Sequence, residues 1–97
     1  MKQTIIMSVY DDKARKIGVT IEPSRRKQKK FDVYRKGEFQ ASIGAAGMMD
    51  YEKYLTRDGP EVANAKRRAY KARHVHRTTK FRDGKLTAAY LADRILW

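Results

Sequence analysis

Hydrophobic and polar positions divide the chain into a β-patterned first half and a helix-patterned second half. From Gln3 to Tyr10, the residues Ile5, Ile6, Met7, Val9 and Tyr10 are β-branched, aromatic or otherwise apolar, which predicts a strand ended by Asp11, Asp12 and Lys13. A second β-type run, Ile17 to Glu22, reaches Pro23, which cannot donate to a ladder and holds Glu22 extended. Phe31 and Val33, then Phe39, Ala41 and Ile43, alternate with polar residues on either side of Arg35-Lys36-Gly37-Glu38, which predicts a β-hairpin. The small residues Gly44, Ala45, Ala46 and Gly47 close the sheet.

Beyond residue 50 the period lengthens. Asp50 is placed to cap a short helix to about Arg57, with Tyr51, Tyr54 and Leu55 on one face. Asp58-Gly59-Pro60 stops that helix and starts another, predicted from Pro60 to about His74, with Glu61 complementing its N-terminal dipole. At 100° per residue, Val62, Ala65, Ala69 and Ala72 share one arc, predicted to face the core; Arg67, Arg68, Lys71 and His74 share the other. Residues Val75 to Lys85 read as a loop, and Leu86 to Trp97 as a final core helix with Trp97 as a plug. The expected fold is a single α+β domain over residues 1–97. A small antiparallel sheet in the N-terminal half packs with about three helices in the C-terminal half. Residues 1–30 form a strand-rich and basic arm region, and 31–97 a hairpin-plus-helices core.

Charge changes this picture most. The 97 residues hold 23 Lys and Arg against 11 Asp and Glu, a net charge of +12, beyond the magnitude of roughly 2 to 8 that suffices for solubility. Such self-repulsion points to an anionic partner whose phosphates neutralise the excess and release counterions. The cations fall in two series. One is the run Arg25, Arg26, Lys27, Lys29, Lys30, expected to be an exposed arm. The other follows the long helix and the loop after it: Lys66, Arg67, Arg68, Lys71, Arg73, His74, Arg77 and Lys80. A cationic helix beside a basic arm suits contact with phosphates along a nucleic acid, DNA ahead of RNA. The helix carries no Asn or Gln among its basic positions, so strong sequence specificity is not expected. Tyr34, Tyr51, Tyr54, Tyr70 and Tyr90 are candidates for a base-stacking platform, although packing is the commoner use of a tyrosine.

Other chemistries find little support. The absence of cysteine removes disulfides, thiolate metal sites and cysteine nucleophiles. His74 and His76 lack the further ligands zinc needs, so no metal or cofactor is expected. Asp11, Asp12, Glu38, Asp50, Asp58, Asp83 and Asp93, taken with either histidine, form no catalytic spacing, and a non-enzymatic role is expected. The apolar run from Thr4 to Tyr10 is too short for a signal core or a bilayer span, so neither secretion nor a membrane partner is predicted.

The residues Phe31-Asp32-Val33-Tyr34, Ile43-Gly44, Asp50-Tyr51, Tyr54, Gly59, Ala63, Arg67-Arg68, Tyr70, Arg73-His74 and the ending Ala92-Asp93-Arg94-Ile95-Leu96-Trp97 resemble a small family of uncharacterised proteins of large DNA viruses and tailed bacteriophages. The resemblance spans roughly residues 30–97. It implies a viral protein, located in the virion or in the host cytoplasm or nucleus, and no transferable activity. It also raises a second expectation, a virion structural or capsid-associated protein whose partners are other particle proteins.

Overall fold

The computed structural model describes residues 2–74 and 79–97, with side chains from residue 9 onward. Chain order is α1 (Lys2–Lys16), β1 (Thr20–Pro23), β2 (Lys29–Arg35), β3 (Glu38–Ala45), α2 (Tyr51–Asp58), α3 (Pro60–Arg73), β4 (Phe81–Arg82), β5 (Lys85–Leu86) and α4 (Ala88–Ile95). The α+β class is as expected, with a three-stranded antiparallel sheet in the N-terminal half and three helices in the C-terminal half. A fourth helix stands at the N-terminus.

That helix, α1, replaces the strand expected over Gln3 to Tyr10. Asp11 and Asp12 do not end the segment; they continue into a helix whose last turn carries Lys13, Arg15 and Lys16, well matched to its dipole. Tyr10 and Ala14 are buried, and Ile17 packs against the same core, a spacing of four and three residues that belongs to a helix. The N–H groups of Gly18 and Val19 return to the carbonyls of Arg15 and Ala14, the paired bonds of a Schellman stop. β1 therefore begins only at Thr20.

The strands lie in the order β1-β2-β3, with Ile21 opposite Val33, Phe31 opposite Ile43 and Val33 opposite Ala41. Phe31, Val33 and Ile43 face a core shared with Tyr10, Ala14, Val19, Leu86, Leu91, Ile95 and Leu96. The register slips after Val33, so that Tyr34 pairs with Phe39 and Gln40 is left over in a bulge. Gln40 uses this freedom to dock a second hairpin. Its Oε1 accepts the Leu86 N–H at 2.8 Å while its Nε2 donates to the Glu38 carbonyl at 3.0 Å.

This second hairpin, β4-β5, occupies a stretch read as loop. Its turn is Asp83-Gly84, both at positive φ (53° and 80°), the pairing that suits a two-residue hairpin. The final helix is consequently shorter than expected. Leu86 belongs to β5, and Thr87 caps α4 by accepting from the Tyr90 N–H. Trp97 lies past the helix end, where its ring stacks on Tyr70 at 4.6 Å and 12°.

α2 and α3 form close to the expected bounds. Asp50 caps α2 through the Lys53 N–H, and Pro60 starts α3. The orientation of α3 is the main correction to the sequence reading. Its inward line is Ala63, Arg67, Tyr70 and His74, whereas Val62, Ala65, Ala69 and Ala72 are exposed. The reason is area. A ring face of roughly 150 Å² is worth about 3 to 4 kcal/mol, against less than about 1 for an alanine methyl, so the helix turns Tyr70 toward Trp97.

Candidate nucleic-acid interface

Two buried aspartates organise the surroundings of the first basic series. Asp50 is 1% exposed and joins three elements. Its Oδ1 accepts from the Tyr10 hydroxyl of α1 at 2.7 Å and from the Lys53 N–H of α2 at 3.2 Å; its Oδ2 lies 2.8 Å from the Lys30 ammonium of β2. Burial, reinforced by the hydrogen bond to Asp50 and by the charges of Asp50 and Glu52, pushes the Tyr10 phenol far above its ordinary value. The Lys30 stem reaches Asp50 beside Gly44. That glycine has φ +76°, and a Cβ there would stand 2.9 Å from Leu96 Cδ1 and 3.0 Å from Lys30 Cδ.

Asp32 lies below the turn between β1 and β2. Its Oδ1 accepts from the Ser24 and Ser42 hydroxyls, each at 2.6 Å, and its Oδ2 from the Arg25 N–H at 3.2 Å. Burial opposes ionisation, but these donors outweigh it and hold the carboxyl below its usual range. Ser24 Oγ in turn accepts from the Arg26 N–H, and the Lys29 N–H from β2 closes the turn on the Arg26 carbonyl. The segment expected as a loose arm is therefore a pinned turn, with Arg25, Arg26 and Lys27 exposed, Lys29 half-buried and Lys30 withdrawn into the ion pair, its side chain 9% exposed.

The helical series also divides. Lys66, Arg68 and Arg73 are exposed along α3. Arg67 turns inward, its guanidinium 3.6 Å from the centre of the Tyr51 ring and its Nε buried without a hydrogen-bond partner among the described residues. Lys71 pairs with Asp93 of α4 at 3.0 Å. His74 ends the helix with its ring stacked on Tyr70 and its Nδ1 donating to the Tyr70 carbonyl at 2.8 Å. Lys80 lies over both Phe81 and Tyr90. Arg77 and His76 lie outside the described residues. The hydrogen bonds of the β1-β2 turn run to β2 and to the residue after β3, whereas α3 makes contacts with α2, α4 and Trp97.

Tyrosines proposed as a stacking platform are mostly engaged within the fold. Tyr54, Trp97, Tyr70 and His74 form a continuous column, and Tyr51 is covered by Arg67. A third basic surface, of which the sequence reading named only Lys80 as a site residue, surrounds the β4-β5 hairpin. Arg35, Lys80 and Arg94 lie over the rings of Phe81 and Tyr90, with Lys36, Arg82 and Lys85 exposed nearby in chain and sheet order. The legible signal for it was Asp83-Gly84 between two short apolar-polar pairs.

Among the described residues no group of three or more His, Asp or Glu side chains is arranged to hold a metal ion, and no helix is long and apolar enough to cross a membrane. Gly44, Asp50, Tyr54, Ala63, Arg67, Tyr70, His74 and Trp97 belong to this framework of packing and hydrogen bonds. Comparison of the chain with models of known protein families, with curated proteins and with solved structures finds no match.

Proposed function

We propose that this chain is a non-enzymatic DNA-binding protein of viral origin that grips phosphates without strong sequence specificity. The observation that carries this reading is the distribution of cations after folding. Lys13, Arg15, Lys30, Arg57 and Lys71 are engaged in ion pairs, whereas Arg25, Arg26 and Lys27 on the β1-β2 turn and Lys66, Arg68 and Arg73 on α3 are exposed and outside those pairs. Exposed cations on pinned backbone suit a regularly spaced anion, because little ordering remains to be done on binding. Lys30, Arg67, Lys71 and His74 serve the fold and leave the contact set.

A salt titration of binding to random duplex DNA tests the reading. With about six phosphate contacts, affinity falls by on the order of 10³ between about 50 and 200 mM salt. Binding that ignores salt, or no binding, overturns it.

One observation favours a second reading, a structural component of the virus particle. The strip Val62, Ala65, Ala69 and Ala72 is exposed on α3, and an apolar helix face of this kind suits contact with another protein. That reading expects a fixed copy number in purified particles; absence from them excludes it.

A further inference from the structure

We infer that the β4-β5 hairpin is a stacking ledge for single-stranded DNA, with Phe81 as the ring on which a base rests. The inference rests on the nucleic-acid reading above and adds the strand state and the contacting residue. Phe81 is 42% exposed although it stands opposite Leu86, which is buried in the core. The ring is held at the rim. The Leu86 N–H is fastened to Gln40, the Thr87 N–H to the Lys80 carbonyl at 2.9 Å, and the Thr87 hydroxyl to the Thr79 carbonyl at 2.5 Å. A base stacking on such a ring meets a surface already ordered.

The surroundings supply the rest of a nucleotide's chemistry. Arg35 Cζ lies 5.0 Å from the Phe81 ring centre and Lys80 Nζ 5.6 Å from it. Six cations (Arg35, Lys36, Lys80, Arg82, Lys85 and Arg94) gather on this hairpin, the neighbouring β2-β3 turn and α4. The acids on the same two hairpins and α4 are Asp32, Glu38, Asp83 and Asp93, of which Asp32 is buried under serine hydroxyls and Asp93 is paired with Lys71; none of the six cations belongs to an ion pair among the described residues. A single strand fits better than a duplex, whose base faces are closed by their neighbours and cannot reach an isolated ring.

The test measures binding of a fluorescent fifteen-residue oligothymidine and of a fifteen-base-pair duplex to the intact chain and to three variants. Phe81→Ala is expected to weaken oligothymidine binding about 5- to 100-fold, with duplex affinity changed less than about twofold. Phe81→Tyr, which keeps the ring, is expected to restore single-strand binding and guards against a folding artefact. Phe39→Ala removes a ring of similar exposure, 40%, that packs edge-on against Tyr34 and is expected to leave both affinities unchanged. Unaltered oligothymidine binding by Phe81→Ala overturns the ledge, as do equal losses on both probes or equal losses in Phe81→Ala and Phe39→Ala. If the unaltered chain binds neither probe, the nucleic-acid reading itself fails, a result distinct from the loss of the ledge alone.

Discussion

Asp50 and Asp32 are both buried carboxylates beside the same basic stretch, yet they treat its cations in opposite ways. Asp50 takes the Lys30 ammonium into the interior and uses it to tie β2 to α1 and α2. Asp32 is satisfied by two serine hydroxyls and a backbone N–H, so it shapes the β1-β2 turn while Arg25, Arg26 and Lys27 stay in water. A cation's availability therefore depends on whether the buried acid beside it draws its hydrogen bonds from that cation or from neutral donors. Sequence neighbours separated by three residues can thus belong to different parts of the molecule's physics.

The comparison breaks most visibly at Asp50. Asp50→Asn leaves the Lys30 ammonium buried beside a neutral amide, and a loss of about 3 to 5 kcal/mol in unfolding free energy is expected from urea titration. A loss under about 1 kcal/mol would mean that Lys30 escapes to solvent and that the two aspartates do not differ as described. Gly44→Ala attacks the same hub from the side. The positive φ and the crowding by Leu96 and Lys30 predict a loss of about 2 kcal/mol, checked by the same titration.

On the Asp32 side, charge removal should leave stability nearly untouched. The triple variant Arg25→Gln, Arg26→Gln, Lys27→Gln is expected to unfold within about 0.5 kcal/mol of the unaltered chain. Its plot of log affinity for duplex DNA against log salt should lose about 2 to 3 from its slope. An unchanged slope would remove the turn from the interface. The smallest effect is in pH. Because the folded-state pKa of Asp32 is depressed, its stabilising contribution is complete above the unfolded value near 4 and is lost as pH falls through the lower folded value. Urea midpoints measured between pH 6 and 2.5 should therefore fall less steeply below about pH 4 in Asp32→Asn than in the unaltered chain; parallel curves would count against the hydrogen-bonded carboxylate.

Local chemistry made several elements legible in the chain itself. The hairpin across Lys36-Gly37, the Asp50 cap and the Gly59-Pro60 junction depend on residues within a few positions of one another, and each forms where its signal stands. The same kind of signal at Asp83-Gly84 marks the second hairpin, where Arg82 and Lys85 had read as loop residues. α1 illustrates the limit of local pattern. Its β-branched residues favour a strand, but the buried Tyr10-Asp50 bond joins residues forty positions apart, and only a helix sets Tyr10, Ala14 and Ile17 in line against the sheet.

Composition determined that this is a basic chain without cysteine chemistry, and short-range pattern determined that it is α+β with a hairpin feeding helices. Tertiary structure alone decided which cations remain at the surface. It turned α3 by its aromatic contacts, because Tyr70 on Trp97 buries far more area than the alanine face that periodicity offered to the core. It also drew Lys30 inward while leaving Arg25 to Lys27 outside. Charge is a property of the sequence, but exposure depends on distant partners, and the surface open to a polyanion exists only once those partners have met.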